Sequence, residues 1–269
     1  MIPIIAFLFA SCATEASLVT REYTLQSEKI TDGSGIKVAV LSDTHSQQFQ
    51  NGGKRIVDIL EAAKPDLIFL VGDIIDNVLP FTGSEILLSN IKHIASIYYV
   101  PGNHEYYNDD IEAVFAVLKK YDIPILRDES LEIEVNGNSL ILAGADDIAK
   151  KRYWEKKYDM EASGEKAFSP LVERGEYKIL LVHRPDYVEF YTQFNFDLIL
   201  CGHTHGGQIR LPPFFNGLYA PRQGFFPKYA GGQYQLGSTT LIINRGITTT
   251  RPMFPRINNP PEIAIIEIQ

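Results

Sequence analysis

Apolar and polar positions along this chain recur in one order: a short apolar run, a polar loop, then a stretch with helical spacing. Ile36–Leu41 is the first such run. It is rich in β-branched residues and reads as a central strand. It ends in Ser42-Asp43-Thr44-His45, and a helix is predicted from about Lys54 to Ala63, closed by Pro65. Leu67–Val71 repeats the pattern, ending in Gly72-Asp73-Ile74-Ile75-Asp76, with a helix over roughly Ser84 to Ala95. Ile97–Val100 repeats it again, running into Pro101-Gly102-Asn103-His104-Glu105 and a helix from about Asp110 to Tyr121. Glu22 to Ile30 alternates polar and apolar residues instead, which predicts a strand with one wet face. Strand, loop and helix in repetition imply parallel strands with crossover helices. The polar loops then share the C-terminal edge of a sheet, where open α/β folds bind ligands.

The second half opens differently. Leu131–Val135, Asn136-Gly137 and Ser139–Ala143 read as a hairpin. Lys150 to Lys166 is polar and Lys-rich, holds Trp154, and suggests a surface helix or a flap over a site. Tyr177–Val182 predicts a strand ending in His183-Arg184-Pro185. Phe196–Leu200 predicts another, running through Cys201-Gly202 into His203-Thr204-His205-Gly206-Gly207-Gln208. Thr240–Asn244 and Glu262–Ile268 complete the strands. Nothing along the chain reads as a repeat, a linker or a low-complexity tract.

Composition narrows the function classes. A net charge of -8 argues against a nucleic-acid binder with a broad basic face, so no nucleic acid is expected as a partner. Two cysteines, Cys12 and Cys201, exclude a disulfide framework and a thiolate metal cluster. Residues 2–10 are almost all apolar, and Phe9-Ala10-Ser11-Cys12 resembles a lipoprotein signal box. Anchor remnant and core-packed terminus are the other readings of that segment. The expected division is therefore a short apolar segment, 1–17, and one domain, 18–269. A bacterial cell envelope location with peripheral membrane contact is expected, the cytoplasm being the alternative.

Five strand ends carry donors suited to metal: Asp43 with His45, Asp73, Asn103 with His104, His183, and His203 with His205. The chain has six histidines, and five of them fall in these loops. Any one such residue could serve a turn or a helix cap. All of them at edges that the α/β rhythm already brings together point to a metal centre. Imidazole and carboxylate without thiolate suit Mn, Fe or Zn. Seven protein donors, with His104 set aside, are too many for one ion and suit two divalent ions sharing a carboxylate.

The blocks DTH, GDIID, GNHE, VHRP and GHTHGGQ, in this order, resemble the calcineurin-like metallophosphoesterases, from about Ile36 to the C-terminus. GHTHGGQIRLP and the tail from Asn244-Arg245-Gly246 to Pro261-Glu262-Ile263 are similar to a bacterial membrane-associated branch. Some members of that branch cleave UDP-2,3-diacylglucosamine in lipid A synthesis. The resemblance implies a four-layer α/β/β/α sandwich with a dinuclear metal site at strand C-terminal ends. It implies Asp43, His45 and His205 on a first ion, Asn103, His183 and His203 on a second, and Asp73 between them. His104 would protonate the leaving-group oxygen, with Glu105 orienting its imidazole. The implied reaction is hydrolysis of a phosphoester or pyrophosphate bond by a metal-bridging hydroxide.

Asp76 reads as a helix cap or a partner behind the ligands. Arg184 reads as an ion pair or a contact to substrate phosphate, and His93, within a helix, as neither. The expected substrate is a phosphorylated small molecule or a lipid, with a lipid-linked sugar nucleotide favoured by the apolar N-terminus and the aromatic-rich stretch. Phe214, Phe215, Phe225, Phe226 and Tyr229 read as mixed core and loop packing, and as a lipid-facing lip if several are exposed together. A soluble phosphodiester or phosphomonoester and a catalytically silent metal-binding scaffold are the alternatives.

Overall fold

Alternate residues of the strand Ile36–Leu41 enter two different cores. Val38 and Val40 join one cluster and Ala39 and Leu41 another, all essentially without solvent exposure. A strand apolar on both faces needs cover on both, and that requirement sets the layers. The structure, a computed structural model, describes Thr14 and residues 17–31, 33–249 and 255–269. The signal box and Cys12 lie outside the described residues, as does most of the segment 1–17.

One sheet holds β1 (Val19–Leu25), β2 (Ile36–Leu41), β3 (Leu67–Val71), β4 (Ser96–Val100) and β13 (Glu262–Ile268), in the order β1-β13-β2-β3-β4. β2, β3 and β4 run parallel, and β13 runs antiparallel to β2. The second sheet holds β5 (Glu129–Val135), β6 (Asn138–Gly144), β7 (Tyr177–Leu181), β8 (Leu198–Cys201), β11 (Gly232–Leu236) and β12 (Thr239–Ile243), in the order β11-β12-β8-β7-β6-β5. β6, β7, β8 and β12 run parallel in it. A short hairpin pairs β9 (Tyr219–Ala220) with β10 (Gly224–Phe225).

Helices α1 (Lys54–Ala63), α2 (Thr82–Ile91) and α4 (Ile111–Lys120) cover the outer face of the first sheet through Ile56, Leu60, Leu88 and Leu118. The sheets meet face to face over Val40, Phe69, Leu142, Ile179 and Leu200. Helices α6 (Met160–Phe168) and α7 (Val188–Tyr191) cover the second sheet through Phe168 and Tyr191. The result is the four-layer α/β/β/α sandwich. Two further short helices, α3 (Asn103–Tyr106) and α5 (Ala149–Tyr153), sit at its upper edge beside the polar loops.

Several boundaries differ from the sequence reading. The first strand is Val19–Leu25 and not 22–30, because its partner is β13 in the register Val19↔Glu262 to Leu25↔Ile268. It is a sheet edge, where solvent leaves little apolar signal to read. α2 is shifted toward the N-terminus, Thr82–Ile91. The segment predicted as a single surface helix or flap is two helices, and α6 buries Met160 and Phe168. β11 escapes a pattern reading because it is a polar edge strand, Gly-Gln-Tyr-Gln-Leu.

Candidate metal centre

The C-terminal ends of β2, β3 and β4 meet those of β7 and β8 at one edge of the sandwich. Asp43 and His45 leave β2, Asp73 leaves β3, Asn103 and His104 open α3 after β4, His183 follows β7, and His203 and His205 follow β8. Three groups of ligand atoms lie within 4.8 Å of one another: Asp43, His45 and His205; His45, Asp73 and His104; and Asp73, His183 and His203. Asp73 belongs to two of these groups. His183 Nε2 is 3.1 Å from Asp73 Oδ2, and His45 Nε2 is 3.8 Å from the same oxygen. His205 Nε2 is 3.5 Å from Asp43 Oδ1. Asn103, His203 and His205 line a cleft of about 610 Å³ together with Asp73 and His104, while Asp43, His45 and His183 lie deeper.

The loops bend sharply to do this. Asp43, His45, Asp73, His203 and His205 all adopt positive φ, between 47° and 70°. Side-chain-bearing residues rarely hold that conformation, and it costs about 1–3 kcal/mol each unless the surroundings impose it. Here the backbone imposes it. Asp43 N donates to Gly72 O and His45 N to Asp73 O, each at 3.0 Å, lacing the β2 loop to the β3 loop. His203 N donates to both carboxylate oxygens of Asp43 at 3.1 Å, and His104 N to Asp73 Oδ1 at 2.8 Å. Gly102 permits the last contact, since a Cβ there would overlap Asp73 Oδ1.

The donors fit a bound cation. His45 Nδ1 and Nε2, Asn103 Oδ1 and His183 Nε2 are fully enclosed and have no hydrogen-bond partner. Enclosed polar atoms without partners are costly, and these are atoms that coordinate metals. His183 donates from Nδ1 to Val71 O at 2.9 Å, which turns Nε2 inward, the usual support for a metal-binding imidazole. Burial holds the His203 and His205 imidazoles well below the usual histidine range, with nearby cations adding to it, so both are neutral and able to coordinate. Burial also opposes ionisation of Asp73, but the His183, His104 and His45 imidazoles outweigh it and hold its carboxyl well below the usual range. His183 is pushed up to about 10 by the Asp73 charge despite its burial. A cation between these two residues would displace that proton. Cys201 is buried in β8 with its thiol pushed well up by burial, so it supplies no thiolate.

The supporting residues correct one expectation. Glu105 does not touch the His104 imidazole. Its enclosed carboxylate accepts N–H bonds from Asp73, Ile74, Ile75 and Gly102 at 2.7–3.0 Å, stapling the β3 loop to the β4 loop. His104 is oriented instead by Asn77 Oδ1, 2.7 Å from its Nδ1, with Asp76 Oδ1 at 3.2 Å. Asp76 also lies 3.6 Å from His45 Nδ1, so it stands behind two imidazoles. Arg184 is buried, donates to Asp147 Oδ2 at 2.8 Å, and places Nη1 3.0 Å from His203 Nε2 at the cleft wall. His93 lies on the far side, beside Tyr98 and Pro124.

Sequence reasoning missed Asn77, Asp147, Arg256 and Gln208. Asn77 directly follows the GDIID block, which was the one signal for it. Arg256 Nη2 lies 3.4 Å from His205 Nδ1, and Asn259 Nδ2 donates to His205 O at 2.6 Å. Gln208 lines the cleft at φ 64°, ψ -64°, with Ile209 N donating to Gly207 O across it at 2.8 Å. That is a γ-turn of positive φ, a strained form.

Comparison with known proteins agrees with this geometry. The calcineurin-like phosphoesterase family matches residues 36–207. The uncharacterized metallophosphoesterase YkuE of Bacillus subtilis is 30% identical over 93% of this chain and 85% of its own length. The putative metallophosphoesterase F40B5.2 of Caenorhabditis elegans is 31% identical over 76% of this chain, which spans 44% of that longer protein. The 5'-nucleotidase precursor of Thermus thermophilus shares the fold at a TM-score of 0.55 with 14% identity, over 80% of this chain and 50% of its own. The chain belongs to the calcineurin-like phosphoesterase family, whose chemistry is metal-dependent hydrolysis of phosphoesters.

Proposed function

We propose that residues 18–269 hydrolyse a small phosphorylated substrate with two divalent ions, Mn, Fe or Zn, held in the cleft. Asp43, His45 and His205 would hold one ion, Asn103, His183 and His203 the other, with Asp73 shared. The observation that carries this reading is Asp73 within ligand-atom reach of His45 on one side and of His183 and His203 on the other, beside buried imidazole and amide atoms that have no hydrogen-bond partner. When bound, such ions supply positive charge to phosphoryl oxygens and make water more acidic. The chain's own residues do the rest. His104 presents Nε2 to the leaving-group oxygen and gives it a proton, its Nδ1 being fixed by Asn77. Arg184, held by Asp147, points its guanidinium at a phosphoryl oxygen and steadies the charge that develops there.

A lipid-linked substrate is the finer reading, with the mouth of the cleft resting on a membrane surface. Phe225 and Phe226 are 67% and 64% exposed on the β9–β10 hairpin, and that hairpin also lines the cleft through Tyr219 and Arg222. Phe214 is 79% exposed as well. Exposed aromatic side chains of this number mark a contact surface. Among the described residues no helix is long and apolar enough to cross a membrane.

Two experiments test the reading. The purified chain, loaded with Mn, Zn or Fe, is assayed on p-nitrophenyl phosphate, bis(p-nitrophenyl) phosphate and a lipid-linked nucleotide. Turnover that a chelator leaves unchanged, or no turnover on any phosphoester, overturns it. Co-sedimentation with phosphatidylglycerol vesicles, lost in a Phe225→Ser/Phe226→Ser variant, supports the lipid reading; equal sedimentation of both proteins rejects it.

A further inference from the structure

The stretch from Lys150 to Lys157 carries Lys150, Lys151, Arg152, Lys156 and Lys157 against Glu155 alone, in a chain of net charge -8. Its first part is α5, and α5 is pinned from both sides. Lys150 Nζ lies 3.1 Å from the buried Asp146 carboxylate, and Ala149 N donates to Asp147 Oδ1 at 2.7 Å. Beyond the helix, Trp154 Nε1 donates to Tyr106 O at 2.9 Å. Tyr106 belongs to α3, the helix that carries His104, and its hydroxyl bonds to Asp146 as well. α5 and the His104 helix therefore hold a fixed relation. A run of rings joins them: His45 to His104 at 4.5 Å between centroids, His104 to Tyr107 at 5.3 Å, and Tyr107 to Tyr153 at 4.9 Å.

Lys151 and Arg152 line the same cleft, and both are exposed. Among the described residues neither forms an ion pair. The other two cations of the cleft wall are already matched, Arg184 by Asp147 and Arg222 by Asp186, each at 2.8 Å. Among the described residues Asp73 is the one carboxylate on the wall. Two cations without an ion-pair partner, beside Tyr153 at the end of the ring path from His104, line the cleft that His104 also lines.

We infer that Lys151 and Arg152 form a subsite for an anionic leaving group: the substrate carries a second negative charge, of phosphate or carboxylate type, on the part that leaves. This rests on the hydrolase reading above and on His104 being the group that protonates the leaving oxygen. In the step, a water oxygen bonds to phosphorus, the bond from phosphorus to the leaving oxygen breaks, and the His104 proton passes to that oxygen. The proton that the attacking water sheds goes to solvent, from which His104 is reprotonated. The cations take no part in it. They hold the departing group against Tyr107 and Tyr153 by charge complementarity.

The test compares aryl phosphates of matched size, 4-carboxyphenyl phosphate and 4-carbamoylphenyl phosphate, in the metal-loaded wild type and a Lys151→Ala/Arg152→Ala variant. The ratio of kcat/KM for the two substrates, divided by the same ratio in the variant, cancels their intrinsic reactivity. Two exposed charges acting together predict a quotient of about 10, falling as salt is added. Replacement by Glu at both positions drives the substrate ratio below that of the Ala variant. A quotient of one, or one that salt leaves unchanged, overturns the subsite. No turnover of these two monoesters, while the diester or the lipid-linked nucleotide is hydrolysed, overturns the subsite as one for such monoesters. No turnover on any phosphoester overturns the hydrolase reading instead, so the two outcomes are distinct.

Discussion

Asn77 Oδ1 accepts from His104 Nδ1 at 2.7 Å, and this bond fixes which imidazole nitrogen faces the cleft. Among the described residues Asn77 forms no hydrogen bond with the proposed ligand set. Asn77→Ala is therefore expected to lower kcat by about 10-fold or more while bound metal stays at the wild-type level. His104→Ala goes further, by about 100-fold or more, and the loss shrinks as the leaving group becomes a better one. A Brønsted series of aryl phosphates, with metal content measured on the same samples, checks both. A loss equal for every leaving group would remove the proton-donor role.

Asp73 belongs to two of the three groups of ligand atoms, so its replacement is expected to act on both. Asp73→Asn is expected to lower metal content and activity together, read by elemental analysis. Chelation of the wild type should lower its Tm, because ligands that bind only the folded chain stabilise it by mass action. The Asp73→Asn variant should show a much smaller Tm response to added Mn. An identical response in both proteins would place the metal elsewhere.

Glu105 serves the backbone, which predicts a stability effect before a catalytic one. Its removal leaves four enclosed N–H donors of the Asp73 and Gly102 loops without an acceptor. Each such donor costs about 1–3 kcal/mol, so Glu105→Ala should be among the most destabilising substitutions near the site. Urea unfolding of the metal-free protein isolates this from metal loss. A Glu105→Ala midpoint close to that of Asn77→Ala would contradict the stapling role.

Gln208 predicts an opposed pair of effects. Glycine accepts φ 64°, ψ -64° without a Cβ, so Gln208→Gly should relieve strain and raise stability by about 1 kcal/mol. The same change removes an amide from the cleft wall and should lower kcat/KM. Chemical denaturation and steady-state kinetics on one preparation decide it; a destabilised variant would mean that the side chain holds the turn in place.

The strand–loop–helix rhythm was legible because β2, β3, β7 and β8 are buried on both faces, and such strands leave unbroken apolar runs. β1 and β11 were harder. Edge strands keep polar residues on an exposed face, and β1 takes its register from a partner more than two hundred residues away. The donor residues stood out one by one because each follows an apolar run.

Sequence alone determined which side chains gather at the strand ends, since a buried parallel strand must hand its chain to a polar loop at that edge. Tertiary structure decided what stands behind them. It assigned His104 to Asn77, not to the adjacent Glu105, because α3 turns that carboxylate inward to the backbone of the β3 loop. It joined Arg184 to Asp147, and α5 to the His104 helix, through residues far apart in the chain. Hydrogen bonds depend on the direction of a side chain as well as its place in sequence, and only the packing of the two sheets sets that direction.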